Sequence, residues 1–282
     1  MNRSAEIRRL LALSPAALQK EAGEERLVVL PDIDALHRHC ADAIADEIVA
    51  RNREGLPTRL ILPVGPVGQY PPLAERINRE RIDLSHCWFF MMDEHCDDSG
   101  IAYGPDHPLG FRHTFDAEFT RHVREELRLP EERLIFPDHR NVATLAEKID
   151  SLGGIDTAYG GIGIHGHLAF NEPEPNVRHT GPRLVYLNDF TRTINAIRSR
   201  VGGDLENTPR KGITLGMNQL LGARRIRLYC RNGIALDWAN TVLRLAVLGE
   251  PGDDYPVTHI RGHGDYIVVT DEDTARQPDI LT

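Results

Sequence analysis

The sequence lacks a long hydrophobic run. No window of its 282 residues approaches the ~18 consecutive apolar residues of a membrane-spanning helix, which predicts that the chain does not cross a membrane. The apolar patch near the N-terminus is too short and too interrupted for a signal peptide. We therefore expect a cytoplasmic protein.

Cysteine is also scarce, and none of the cysteines stands in a Cys-x-x-Cys pair. The four cysteines are Cys40, Cys87, Cys96 and Cys230. In a chain of this length they indicate free thiols in a reducing compartment and exclude a disulfide framework. A bridge between Cys87 and Cys96 is the alternative.

The chain has no excess of positive charge, because 33 Lys and Arg stand against 42 Asp and Glu, for a formal net charge of -9. Since a phosphate backbone attracts a basic surface, this balance argues against nucleic acid as a partner. It also disfavours a very anionic substrate unless a local site overrides the overall field. The composition, 41% hydrophobic and 27% charged, is that of a globular protein with a sizeable core.

Short apolar runs alternate with helical patterns along most of the chain. Strands are predicted at 59–63, 87–92, 133–136, 155–159, 212–215, 225–229 and 266–270, and helices at 33–48, 72–80, 114–128, 143–151 and 234–248. This alternation predicts an α/β fold, a Rossmann-like, doubly wound and mostly parallel sheet with helices on both faces.

The domain organisation is predicted to be simple. Residues 1–25 form a polar helical arm, and residues 26–282 form a single α/β domain with Asp32 as a candidate N-cap of its first helix. The polar segment 174–210 has scattered prolines and glycines, and we expect it to be a long excursion or lid.

Reactive side chains follow several predicted strands. They are Asp93-Glu94-His95, the segment from His165 to Glu172, and the glycine loop 64–68. Ligands bind at the carboxyl ends of strands in open α/β sheets, so these segments are candidates for one site. The structural alternatives are acids that merely close a strand and a polar glycine turn.

The segment Gly160-Gly-Ile-Gly-Ile-His-Gly-His-Leu-Ala-Phe-Asn-Glu-Pro173 resembles the signature of the glucosamine-6-phosphate deaminase/isomerase family. That signature runs Gly-Gly-x-Gly-x-Asp-Gly-His-x-Ala-Phe-Asn-Glu-Pro. Phe90-Met-Met-Asp-Glu94, His107-Pro108 and Ile213-Thr-Leu-Gly-Met-Asn-Gln-Leu-Leu-Gly-Ala223 are similar to further family motifs. The resemblance covers roughly residues 30–272 in the same order and identifies the chain as a divergent member.

The resemblance implies an enzyme that opens an aminosugar ring, shifts a proton between C2 and C1 and expels ammonia. Asp93 matches the base for the C2 proton, with Glu94 as a supporting acid. His167 matches the histidine that exchanges protons during ring opening, and Glu172 matches the carboxylate that orients it. The resemblance implies no cofactor and no metal, and a monomer or a homo-oligomer, since the family contains both.

The sequence departs from the family at several positions. His165 stands where the family has an aspartate, and a second histidine cannot stabilise an imidazolium as a carboxylate does. We therefore expect a lowered pKa for His167, or a histidine that works with Glu172 alone. The family's phosphate lysine falls at Ile234, and its phosphate arginine falls near Ile197, one position from Arg198.

The phosphate loop departs as well. The run Pro63-Val-Gly-Pro-Val-Gly-Gln-Tyr-Pro71 replaces two hydroxyl side chains by Val64 and Val67 and one backbone donor by Pro66. We expect a substrate without the usual 6-phosphate, or one that binds it differently, with Arg198, Arg192 and Arg231 as candidates for a rebuilt anion site. The expected substrate-binding residues are Gly65, Gly68, Gly163, Gly166 and Arg198.

The partner we expect is therefore a small-molecule sugar or aminosugar. Three other interpretations stay open at this point. The first is a non-catalytic sugar-binding regulator on the same scaffold, and the second is a lactonase-type sugar hydrolase. The third is a metal site built from His95, His165, His167 and Glu172, because His-x-His pairs can bind metal ions.

Overall fold

A parallel sheet of seven strands forms the centre of the protein, whose computed structural model describes residues 2–232 and 237–281. In chain order the strands are β1 (Leu27–Leu30), β2 (Thr58–Leu62), β3 (Cys87–Met91), β5 (Leu134–Ile135), β6 (Thr157–Gly161), β9 (Arg225–Tyr229) and β10 (Tyr266–Asp271). They pair in the order β1-β10-β9-β6-β2-β3-β5, and every pairing is parallel.

Helices cover both faces of this sheet. They are α1 (Arg3–Leu11), α2 (Pro15–Ala22), α3 (Ile33–Arg53), α4 (Tyr70–Glu80), α5 (Phe111–Glu118), α6 (Leu145–Ser151), α7 (Asp189–Arg198), α8 (Met217–Leu221), α9 (Asn240–Leu248) and α10 (Glu272–Ala275). Alternate residues of β2 point to opposite faces, so Leu60 packs with α3 and α4, while Ile61 packs with α9. The predicted α/β fold with helices on both faces is confirmed.

The segment Asp93-Glu94-His95, expected only to follow a strand, belongs to a strand itself. Asp93–Cys96 is a strand of its own, β4, in a second sheet with β7 (Arg183–Tyr186) and β8 (Lys211–Thr214). Both pairings in this sheet are antiparallel. The segment 174–210 is therefore more than a polar excursion, because it supplies β7 and α7. The mixture of polar residues hides β7, of which only alternate residues are partly buried.

Two predicted helices have different bounds. α5 ends at Glu118 because Phe119 leaves the helical conformation, with φ at −130°, and short 3-10 turns carry the chain onward to β5. α9 begins at Asn240. The Asn232 side chain accepts hydrogen bonds from the N–H groups of Trp238 and Ala239 and so fixes the two residues that precede this helix. The predicted helical position Ile234 lies outside the described residues.

Several local predictions are confirmed. The Asp32 side chain accepts a hydrogen bond from Ala35 N–H and caps α3. All four cysteines are buried free thiols, so the alternative of a Cys87–Cys96 bridge is wrong. Within the described ranges, the helices include none that is long and apolar enough to cross a membrane.

The N-terminal helices α1 and α2 pack on the main body of the protein. Leu10 and Leu18 are buried, and the buried guanidinium of Arg244 in α9 donates to the carbonyl oxygens of Leu10 and Leu13. A domain boundary at residue 25 stays a prediction.

Candidate active site

Two connected cavities lie at the carboxyl ends of β2, β3 and β6. The smaller, of about 80 Å³, is lined by Asp93, His167 and Arg198 among others. The larger, of about 580 Å³, extends from it between the 63–69 loop, α3 and α7. Gly65 and Arg198 line both cavities. The strand ends and α7 thus bring together three residues that lie far apart in the sequence.

Asp93 is the buried acid of the smaller cavity. Asp93 is the first residue of β4, shortly after the end of β3, and it pairs with Thr214 of β8. Burial, with a further contribution from the neighbouring Glu94, raises the pKa of Asp93 well above its usual range. A carboxylate with a raised pKa is a stronger base, which suits the removal of a proton from carbon.

Glu94 points away from this cavity and holds the start of α5. Its Oε1 accepts hydrogen bonds from His95 N–H at 2.8 Å and Phe111 N–H at 2.7 Å, and its Oε2 accepts from Arg112 N–H at 2.8 Å. Burial raises the pKa of Glu94 to about 7, against the opposing effect of these N–H donors. Glu94 therefore acts on the site through the position of α5 and the pKa of Asp93.

A chain of hydrogen bonds runs from Asn188 through His165 to His167. Asn188 Nδ2 lies 2.5 Å from His165 Nε2, and the two Nδ1 atoms of His165 and His167 lie 3.0 Å apart. Asn188 is also the N-cap of α7, where its Oδ1 accepts from Thr191 N–H at 3.0 Å. The cap fixes the amide orientation, so Nδ2 must be the group that faces His165.

We assign the imidazole tautomers of His165 and His167 from these hydrogen bonds. Because Asn188 Nδ2–H donates to His165 Nε2, neutral His165 carries its proton on Nδ1 and donates it to His167 Nδ1. His167 then carries its own proton on Nε2. Burial, His165 and Arg198 lower the pKa of His167 to about 3, in the direction that the sequence led us to expect. His167 is thus a neutral ring with one N–H to donate.

Glu172 does not hydrogen-bond to His167, contrary to the role that the family resemblance implies for it. Its Oε2 accepts from Asn188 N–H at 2.9 Å, while its buried Oε1 has no hydrogen-bond partner. Burial raises the pKa of Glu172. Its position beside Asn188 and α7 makes it a support of the histidine chain.

At two glycine positions a histidine ring lies so close to the backbone that no side chain would fit. A Cβ at Gly163 would collide with the His167 imidazole, and a Cβ at Gly68 would collide with the His37 imidazole. Gly163 lines the smaller cavity, whereas Gly68 is covered by His37 and lines neither cavity. Gly166 also lies outside both, in a turn with φ of +74° beneath Tyr255.

The candidate cations divide into two groups. Arg198 and Arg231 line the larger cavity, and the Arg198 guanidinium carbon lies 5.4 Å from the centre of the Trp238 ring. Arg192 instead donates to the Leu205 carbonyl oxygen and pairs with Asp189 at 3.5 Å. Arg231 and Arg198 are therefore the two of these candidates that face the larger cavity, and Trp238 forms part of its wall.

Two residues of the site, Asn188 and His37, are not among those predicted from the sequence. Asn188 could have been found, because an asparagine directly before a helical pattern signals an N-cap. His37 carries no such signal, because it is a polar residue near the start of α3 whose role depends on the 63–69 loop packing against that helix.

A metal ion could be held by His165, His167 and Glu172, whose candidate ligand atoms lie within 4.8 Å of one another. His95 is not part of this group. Its Nδ1–H donates to the Leu109 carbonyl oxygen, and its ring packs against those of Phe111 and Phe170. A metal ion bound at the Nδ1 atoms of His165 and His167 would have to replace the hydrogen bond between them.

Together, the fold and the cavity residues define a single-domain α/β protein of the class in which a strand-end acid faces a histidine of a glycine-rich turn. A solved monomeric glucosamine-6-phosphate deaminase shares this fold, with a TM-score of 0.77, 23% identity and coverage of 89% of this chain and 98% of that one. The 6-phosphogluconolactonase from Leishmania guyanensis also shares it, with a TM-score of 0.63, 14% identity and coverage of 88% and 97%.

Sequence comparison defines the family. The glucosamine-6-phosphate deaminase of Porphyromonas gingivalis is 31% identical over 256 residues, which cover 88% of this chain and 91% of that protein. The chain belongs to the glucosamine-6-phosphate deaminase family. No family model matches it.

Proposed function

We propose that this chain is an aldose–ketose isomerase or deaminase that acts on an aminosugar in the cytoplasm. The observation that carries the proposal is that Asp93 and His167 face the same cavity of about 80 Å³. Membership of the deaminase family supports it. The proposed substrate lacks the usual 6-phosphate or binds it differently.

His167 opens the sugar ring. Its Nε2–H donates a hydrogen bond to the ring oxygen and passes its proton to that oxygen as the bond to C1 breaks. The proton of the anomeric hydroxyl replaces it on Nε2 as the C1 carbonyl forms, so the imidazole is neutral before and after the two coupled transfers. Because His165 and Asn188 hold the ring in the Nε2–H tautomer, the proton is already at the reacting side.

Asp93 performs the second proton transfer. Its carboxylate removes the proton from C2, and the resulting enolamine, the enediol-type intermediate of an aminosugar, takes a proton back at C1, which leaves an imine at C2. Water then adds to C2 and ammonia leaves, which gives the C2 ketone. These steps need only proton transfers and water, so we propose no metal ion and no organic cofactor.

The test is incubation of the protein with a panel of sugars and aminosugars in deuterium oxide. Mass spectrometry of the recovered sugar measures deuterium uptake, and a coupled assay measures ammonia. We expect uptake with at least one aminosugar, and at least a 100-fold slower reaction for Asp93→Asn. The matched control is Asp98→Asn, which changes an exposed acid near the site without touching the cavities.

Two results would contradict the proposal. Binding of a sugar without exchange across the whole panel indicates a regulator. Hydrolysis of a sugar lactone without exchange at C2 indicates a lactonase, the activity named for the Leishmania neighbour.

A further inference from the structure

The larger cavity is far bigger than a phosphate needs. A phosphate monoester has five non-hydrogen atoms, which at the ~30 Å³ of a water molecule would fill about 150 Å³. The cavity measures about 580 Å³, within the range of about 300–1,000 Å³ that holds drug-sized ligands. The phosphate group by itself would leave most of this cavity unfilled.

The side chains of the 63–69 loop supply no hydroxyl and no cation for a phosphate. Its polar side chain, Gln69, donates through Nε2 to the Pro66 carbonyl oxygen at 2.7 Å. The Tyr70 hydroxyl donates to the Pro63 carbonyl oxygen, and the His37 ring covers Gly68. The Gln69 amide and the Tyr70 hydroxyl therefore donate to carbonyl oxygens of the loop itself, whereas His37 Nε2 has no hydrogen-bond partner among the described residues.

The charges that remain on the wall are all positive. Arg198, Arg200 and Arg231 line the cavity, and its described lining contains no aspartate and no glutamate. Arg198 as a whole residue is exposed to solvent, but its guanidinium is surrounded by protein atoms. This partial desolvation and the repulsion by Arg231 lower the pKa of Arg198 to about 10. Two guanidinium groups that repel each other favour an anion between them.

The lining also includes a group of large apolar and aromatic side chains. Among them are Leu36, Val67, Ile194, Ile197 and Trp238. Trp238 already stacks with Arg198, so a flat group entering the cavity meets an aromatic face with a cation beside it. The cavity combines a site for negative charge with a wall for an apolar group.

We propose that this cavity binds an anionic substituent with an attached apolar or aromatic group, carried by the aminosugar at the end away from C1 and C2. This inference rests on the proposed function. Ring opening needs a free C1 hydroxyl, and Asp93 acts on C2, so the extension leaves the sugar from its C4–C6 end. A phosphodiester of an aminosugar fits this description, because its charge meets Arg198 and Arg231 while its second ester group reaches Trp238.

Binding of simple probes tests the cavity without requiring turnover. Isothermal titration calorimetry compares inorganic phosphate, phenol and phenyl phosphate. We expect phenyl phosphate to bind at least ten-fold more tightly than either of the others. Arg231→Ala and Trp238→Leu should each lower its affinity at least ten-fold. The control Trp88→Leu changes a partly buried tryptophan of β3 that lines neither cavity and should leave the affinity unchanged.

Three outcomes would overturn the proposal. Equal affinity for phosphate and phenyl phosphate means that the apolar wall does not contribute, and equal affinity for phenol means that the anion does not contribute. Absence of binding by all three probes means that the cavity is not a ligand site.

Turnover then separates this inference from the proposed function. The phenyl diester of glucosamine 6-phosphate should show at least ten-fold higher kcat/KM for C2 exchange than glucosamine 6-phosphate. A ratio of one or below contradicts the extended subsite while leaving the isomerase proposal intact. If phenyl phosphate binds as expected and no aminosugar exchanges, the isomerase proposal fails and the cavity remains a binding site for such anions.

Discussion

The Nδ1 atoms of His165 and His167 lie 3.0 Å apart, and the proton between them belongs to His165. The reason lies in Asn188, whose cap of α7 turns its amide N–H toward the far side of His165. A carboxylate at position 165, as in the family signature, would accept a hydrogen bond from His167 where His165 donates one. The site therefore holds its reactive imidazole neutral.

Replacing His165 by aspartate should raise the pKa of His167. A carboxylate beside an imidazole stabilises its charged form by about 1–3 pKa units, and the repulsion from His165 is removed at the same time. Titration of the His167 ring by NMR measures the change. His122→Asp, at an exposed position, is the control. An unchanged pKa of His167 would show that burial alone sets it.

Asn188→Ser and Asn188→Ala should separate helix capping from tautomer control. Serine caps a helix nearly as well as asparagine but is too short to reach His165, whereas alanine loses both functions and about 1 kcal/mol of stability. We expect both variants to show mixed tautomers of His165 and His167 by ¹⁵N NMR, and only the alanine variant to lose stability in urea denaturation. A single retained tautomer in Asn188→Ser would disprove the assignment.

Glu94→Ala should destabilise the protein without any change in the cavity lining. Three N–H groups lose their acceptor, and hydrogen bonds to a charged group contribute about 1.5–3 kcal/mol each. Because removing a buried carboxylate also relieves its desolvation, we expect a net loss of at least about 2 kcal/mol in the free energy of unfolding. Denaturant titration measures it, with the exposed Glu132→Ala as the control. Wild-type stability would rule out the anchoring of α5 by Glu94.

The acid side of the pH–rate profile should reflect Asp93. The base works only when it is ionised, and its pKa is raised, so the rate should fall as the pH drops through a value well above that of an ordinary aspartate. Glu94→Gln removes the neighbouring like charge and should shift this limb to lower pH. The pH dependence of C2 exchange measures both. A limb that Glu94→Gln leaves in place would assign it to another group.

Local signals allowed much of the fold and the site to be predicted. The N-cap Asp32 and its helix, the apolar strands β2, β3 and β6, and the glycine-rich turn with His167 are encoded by neighbouring residues. The helix expected at 114–128 failed because its four-residue apolar spacing continues through Val123 and Leu127 in 3-10 turns, which bury the same residues without a helix.

The sequence by itself determined the α/β class and the identity of the candidate acid and histidine, because both depend on short motifs and local periodicity. Only the tertiary structure decided how these groups are held. Glu94 meets Phe111 across 17 positions, Asn188 meets His165 across 23, and β4 pairs with the distant β8. Such partners are chosen by packing between separate elements, and it is packing that orients the Asn188 amide, fixes the proton on His167 and leaves a large cationic cavity beside it.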